Sequence, residues 1–243
     1  MPVINREQYV AAVAAWDTSS KDYSTIQKLI PPNYIFSFGP DQIEWLMGKN
    51  QCKNDFCSEI GVFNNQLILI LCPLDTAGKQ IVMDTYQYSV LSILANDLSL
   101  VETEQYTLVK NAVLSKDLRK IDNSADMYLP VANMPLMEQD KALAAIESWR
   151  NEGATWFYRE CDEFKGARIF KRFFVPLPDV SQPREGLDSY VCSFGIKFSE
   201  IYQRTLVTLI FISIYKDLQN TGSVEVISNT YDWSRPCPPI CQL

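Results

Sequence analysis

The run FCSEIGVFNNQLILILC, residues 56–72, decides the fold. Two apolar segments rich in β-branched and aromatic side chains flank Asn64-Asn65. A two-residue asparagine turn between such runs is the signature of a β-hairpin. Pro73 ends the second strand because it cannot donate to a sheet ladder, and Asp75-Thr76-Ala77-Gly78 supplies a further turn.

Working outward towards the N-terminus, Pro31-Pro32 breaks the chain and residues 34–38 read as a strand. Gly39-Pro40-Asp41 starts a short helix whose apolar side is Ile43, Trp45 and Leu46. Residues 5–16 read as a helix capped by Asn5, with Tyr9, Val10, Val13 and Trp16 on one face. Towards the C-terminus, much of 85–116 is predicted helical, most clearly 102–114, where Tyr106, Val109, Val113 and Leu114 repeat at helical spacing. Residues 121–135, with Asp122, Asn123, Ser124, Pro130 and Pro135, read as a linker.

The order then restarts. A helix over 138–150 carries Ala142, Leu143, Ile146 and Trp149; a strand over 169–175, a proline-rich turn over 176–183 and strands over 190–198 and 204–215 follow. Trp16 and Trp149 are 133 residues apart, while Ile35 and Ile169, Phe36 and Phe170, and Gly61 and Gly195 are each 134 apart. Cys57-Ser58-Glu59-Ile60-Gly61-Val62-Phe63 also matches Cys192-Ser193-Phe194-Gly195-Ile196-Lys197-Phe198. These spacings predict an α+β chain built from two similar halves, 1–123 and 124–243, by internal duplication. Helices pack on antiparallel sheet, and the halves either share one compact domain or stand apart.

The 243 residues carry a formal charge of −7, a pI near 4.8 and 47% hydrophobic side chains. Nucleic acid and anionic membrane both attract cationic surfaces, so neither is an expected partner. The most basic stretch, 165–172, interleaves Lys165, Arg168, Lys171 and Arg172 with phenylalanines and reads as a strand with one solvated face. The longest apolar run, 206–215, falls short of the roughly 20 residues of a spanning helix. No basic segment followed by an apolar run opens the chain, so cytoplasm is the expected location and the seven cysteines are expected to be reduced. Cys72 and Cys192 fall inside apolar strands, as small core residues do.

There is no histidine. Imidazole is the usual proton shuttle near neutral pH, so Ser-His-Asp and Cys-His catalysis in cis, histidine zinc sites and two-histidine iron sites are excluded. Carboxylate pairs, lysine nucleophiles and cysteine-only metal sites survive. Ala77-Gly78-Lys79-Gln80 faintly echoes a phosphate loop but lacks the upstream glycine and the magnesium-binding hydroxyl, so a turn explains it. Glu160-Cys161-Asp162-Glu163 and the pair Glu102 and Glu104 read as solvated surface, the former on a loop. Trp16, Trp45 and Trp149 lie on apolar helix faces and belong to the core. Trp156-Phe157-Tyr158 suits an interface and a core equally.

The most distinctive element is the tail Cys237-Pro238-Pro239-Ile240-Cys241, preceded by Tyr231-Asp232-Trp233. Two thiols at this spacing can chelate a soft metal, close a disulfide or serve as a docking hook, but a closed zinc site needs two further ligands. The string FCSEIGVFNNQLILILCPLDTAGKQI, residues 56–81, with its Asp75-x-x-Gly78 turn and the Cys-Pro-Pro-x-Cys end, resembles part of a group of uncharacterised proteins from Bacteroidetes. The second half lacks a clean copy of that turn, 217–222 being its nearest counterpart. The resemblance implies a family setting and no chemistry, no cofactor and no catalytic residue.

The leading expectation is a non-catalytic cytoplasmic interaction or assembly protein. Tyr231, Trp233, Cys237 and Cys241 would be its contact element, and its partner another protein or a second copy. The rival is a small-molecule-binding or hydrolytic protein with a cleft between the halves, using carboxylates or Cys161. A metal site through Cys237 and Cys241 is the third.

Overall fold

The computed structural model describes residues 2–94, 107–114, 120–128, 139–177, 187–215, 228–231, 234–239 and 241. After β1 (Val3–Asn5), the Asn5 side chain accepts the Gln8 backbone N–H and the Gln8 side chain accepts that of Asn5. This capping box starts α1 (Arg6–Ser19). Asp22 accepts the Thr25 N–H at 3.0 Å and starts α2 (Tyr23–Leu29). β2 (Tyr34–Phe38) and α3 (Pro40–Lys49) follow, with Pro40 in the first turn where its missing donor costs nothing. β3 (Asp55–Phe63) and β4 (Gln66–Cys72) are the predicted hairpin, and Asn64 and Asn65 take φ of 50° and 61°, as a tight turn of this hand requires.

The rest of the chain runs β5 (Thr85–Val90), β6 (Ser92–Ile93), β7 (Thr107–Leu114), β8 (Lys120–Tyr128), α4 (Gln139–Phe164), β9 (Arg172–Pro176), β10 (Leu187–Ser199), β11 (Arg204–Tyr215), β12 (Ser228–Tyr231) and β13 (Arg235–Cys237). The helix predicted within 85–116 is therefore strand at every described position but Leu91 and Leu94, and helix at none. Tyr86 is buried in a ladder between β1 and β4, and β7 pairs residue by residue with β8, so pairing overrides the helical spacing of Val109 and Val113. The predicted linker is β8 as far as Tyr128; 129–135 lies outside the described residues, as do Glu102, Glu104, 178–183 and 217–222.

Six strands form one sheet, β1-β5-β4-β3-β9-β13, and five form another, β12-β11-β10-β2-β6; β7 and β8 pair separately, and every pairing is antiparallel. Strand alternation sorts the side chains into layers. Cys57, Ile68, Ile70 and Cys72 meet Ile4 and Ala12 of β1 and α1, so α1 covers the outer face of the first sheet. Val191, Ile210 and Ile212 meet Ala142 and Ala145, so α4 covers the outer face of the second. Between the sheets lies the main core, where Phe56, Ile60 and Leu69 of one face Phe36, Phe194 and Leu209 of the other.

The two sheets exchange strands. β2, from the first half, pairs with β10, and β9, from the second, pairs with β3. Each long hairpin is thus bordered by a short strand of the other half. Where each helix crosses its hairpin there is a glycine. A Cβ on Gly61 would stand 3.0 Å from the Ala12 Cβ, and one on Gly195 would stand 3.4 Å from the Ala145 Cβ. The cysteine match of the two strings is out of register with this: Cys57 packs beneath α1, whereas Cys192 faces the inter-sheet core. Trp16 and Trp149 are both buried as expected, yet the Trp16 indole N–H donates to the Phe170 carbonyl at 2.8 Å while that of Trp149 has no partner.

Candidate functional site

The two helices that cover the sheets differ in length. α1 stops three residues after Trp16, whereas α4 continues fifteen residues past Trp149, to Phe164. The sequence reading ended this helix at Arg150 and placed Glu160-Cys161-Asp162-Glu163 on a loop; all four are helical, and Glu160 and Cys161 are buried. On the overhang, Trp156, Glu160 and Phe164 recur at four-residue spacing, and the first two line one side of a cavity. The other wall is the tip of the β10–β11 hairpin. Its connection, residues 200–203, is two residues longer than the turn of the first hairpin. The Trp156 indole N–H donates to the Thr205 carbonyl at 3.3 Å and holds the walls together.

Between them is a cavity of about 240 Å³ lined by Trp156, Arg159, Glu160, Arg168, Phe198, Gln203, Arg204 and Thr205. Arg168 donates to Glu160 Oε1 at 3.0 Å, and its Cζ lies 3.6 Å from the centre of the Phe164 ring, a cation–π contact that fixes the guanidinium. The Glu160 side chain is only 6% exposed, so burial holds its carboxyl above the usual carboxylate range, against the pull of Arg168 and Arg204. Because the ion pair is single-pronged, Glu160 Oε2 and Arg168 Nε are buried without hydrogen-bond partners. Burial, then repulsion from Arg168, lowers the Arg204 pKa, and Glu160 only partly compensates. Arg159 pairs with the exposed Glu163 at 3.5 Å. With Glu163 counted, two carboxylates thus face three guanidiniums, and the one left over suits the site to receiving a carboxylate or phosphate in a planar fork.

A second buried polar cluster has nothing to spare. The Tyr9 hydroxyl donates to Glu59 Oε2, Gln80 donates to the Tyr9 oxygen at 2.7 Å, and Arg172 reaches Glu59 Oε1 at 2.6 Å. Both Glu59 oxygens are occupied, and the cluster clamps α1 and β9 onto β3. Two other cations of the basic stretch are spent likewise, Lys171 on Asp17 at 2.8 Å and Arg172 on Glu59, while Arg168 faces the cavity; only its last residue is strand, which corrects the strand reading of 165–172.

Cys161 is buried at the helix surface facing Ser20. Its thiol donates to the Ser20 carbonyl, and burial first, then Asp22 and Glu160, push its pKa up. The cavity also lies within the second half. The space between halves, where α2 meets α4, is an apolar pocket of about 110 Å³ lined by Tyr23, Ile26, Ile30, Trp149 and Phe157, with no carboxylate. Among the described residues, neither this pocket nor the cavity is lined by Cys161, and neither is lined by two carboxylates.

The tail is part of the scaffold. The Ser234 hydroxyl accepts the Leu209 N–H at 2.5 Å and bonds the Thr208 hydroxyl at 2.7 Å; Arg235 reaches Asp55 at 2.6 Å, and β13 extends the first sheet beside β9. Cys237 and Cys241 form a disulfide, which corrects the expectation of reduced thiols for this pair and leaves neither thiolate for a metal. The Pro238-Pro239 turn brings their Cα atoms to 4.7 Å, within bridging range. Among the described residues no group of three metal-ligating side chains occurs. Tyr231 pairs through its backbone with Phe211 in β12; its side chain, like Trp233, lies outside what is described. The turn at Asp75 is held by the Asp75 carboxylate accepting the Ala77 and Lys79 N–H groups, with Gly78 at φ 76°, and is no phosphate loop.

Sequence reasoning missed Glu160, Arg168 and Arg204. The legible signal was the continued four-residue spacing of Trp156, Glu160 and Phe164 past Arg150. No family model matches this chain, and no curated protein or solved structure matches it.

Proposed function

We propose that the chain is a non-catalytic binding protein that recognises an anionic group between Arg168 and Arg204. The observation that carries this is the surplus of guanidinium over carboxylate in a lined cavity, on a chain whose net charge is −7. Positive charge gathered at one place on an acidic molecule answers a specific ligand better than a general affinity for polyanions. This keeps the interaction reading of the sequence and moves its contact element from Tyr231, Trp233, Cys237 and Cys241 to the second hairpin. Calorimetric titration with phosphate and with glutarate tests it. Arg204→Gln is expected to weaken binding at least tenfold, and a wild-type chain that binds neither anion at about 10 mM, a very weak association, overturns it.

The matching glycines, alanines and tryptophans and the reciprocal strand exchange support reading the halves as copies of one unit. Membership of the Bacteroidetes group belongs to the same proposal, resting on the hairpin, the Asp75 turn and the tail. A disulfide is at home in an oxidising compartment, which weighs against a cytoplasmic location. No helix among the described residues is long and apolar enough to cross a membrane.

A further inference from the structure

The cavity is smaller than the roughly 300–1,000 Å³ that enclose whole small-molecule ligands, and it has room for an acidic side chain with several waters of about 30 Å³ each. Its mouth is also unusual. Phe198 lines the cavity yet is 61% exposed, and on the connection beside it Ile201 is 87% and Tyr202 41% exposed. Three large apolar side chains within five residues stand in water next to a group of arginines that outnumbers its carboxylates. Scattered exposed apolar residues need no explanation, but a cluster rimming a charged recess is what a docking surface offers.

We infer that the tip of the β10–β11 hairpin docks a protein segment carrying an acidic side chain next to apolar ones. The acid enters between Arg168 and Arg204, and the apolar neighbours cover Phe198, Ile201 and Tyr202. The inference rests on the anion reading above and adds to it the nature of the occupant. Charge complementarity selects an acidic segment. Ile201 and Tyr202, exposed beside the cavity but not lining it, select a segment over a free anion.

The test uses the full chain and a fluorescent peptide, N-acetylated and C-amidated, with one glutamate flanked by leucine and phenylalanine. Anisotropy is read alongside competition by glutarate and co-sedimentation with phosphatidylcholine–phosphatidylserine vesicles. The peptide is expected to bind at least tenfold tighter than glutarate, and its glutamine counterpart at least tenfold more weakly than itself. Ile201→Ser, at a site too exposed to disturb folding, is expected to lower peptide affinity at least fivefold and leave glutarate affinity unchanged. If glutarate binds but the peptide binds no tighter, or Ile201→Ser has no effect, the docking inference falls and anion recognition stands. If Arg204→Gln leaves both affinities intact, anion recognition falls as well. Vesicle binding that Ile201→Ser abolishes, without peptide binding, assigns the tip to a membrane and overturns the inference.

Discussion

Replacing Gly61 with alanine tests how closely α1 is held on the first sheet. The new Cβ would stand 3.0 Å from the Ala12 Cβ, 3.3 Å from the Ala12 carbonyl carbon and 3.2 Å from Ile70 Cδ1. Carbon atoms rest about 3.5–4.0 Å apart, so the helix must lift by roughly half an ångström. It is not free to do so. Asn5 caps its start, Tyr9 bonds Glu59 midway, and Trp16 bonds the Phe170 carbonyl near its end. Overpacking of this kind costs about 1–3 kcal/mol, and the stiffer unfolded chain of the alanine variant returns about 0.4–1. A net loss of roughly 1–2 kcal/mol is expected in urea unfolding followed by tryptophan fluorescence. Gly195→Ala is the internal control. There the close contact, 2.6 Å, is to Ile210 Cδ1, the end of a side chain that can rotate away, and Ala145 is already at an ordinary 3.4 Å. Its expected loss is under about 1 kcal/mol by the same accounting. A Gly61→Ala protein as stable as Gly195→Ala, or one showing no coupling to Ala12→Gly in a double-mutant cycle, refutes the reasoning.

Arg172→Met leaves Glu59, 2% exposed, without its cation, and is expected to lower urea stability by about 3 kcal/mol; the Glu59→Gln, Arg172→Met double variant should recover part of that. Five cysteines are free, and burial pushes the Cys57, Cys72, Cys161 and Cys192 thiols up. At pH 8 a disulfide-exchange reagent should therefore find only the half-buried Cys52 in the native protein and all five in guanidinium. Unfolded thiols ionise above about pH 8.5 while the buried ones stay protonated, so urea stability should fall as pH rises beyond that point. For Glu160 the folded carboxyl is likewise raised, so stability should decline as pH climbs from the ordinary carboxylate range, about 4.3, through the raised value and then level off. Glu160→Gln should flatten that decline in urea midpoints taken between about pH 4 and 7.

The hairpins, the N-cap at Asn5 and the starts of the three tryptophan-bearing helices were legible because each rests on local chemistry: turn residues, caps and periodicity. The segment holding β5 to β8 was not. Valines and tyrosines there satisfy helical spacing, and only their partners across a ladder decide otherwise. The cavity was illegible for a related reason. Arg168 and Arg204 are 36 residues apart and meet Glu160 only because a helix overruns its sheet. Charges adjacent in sequence, such as Glu160 and Asp162, suggested a solvated face, whereas the helix turns Glu160 inward and leaves Asp162 outside.

The crossing of β2 and β9 into opposite sheets bears on how the polypeptide reaches its final state. A fragment ending at Tyr128 would carry the β3–β4 hairpin with a raw inner border, since the strand that belongs there is donated from beyond Gln139. The same holds in reverse for the remaining piece. Such fragments would mature only in each other's company, or by borrowing from a like neighbour, which makes nascent chains of this design prone to entangle before synthesis is finished.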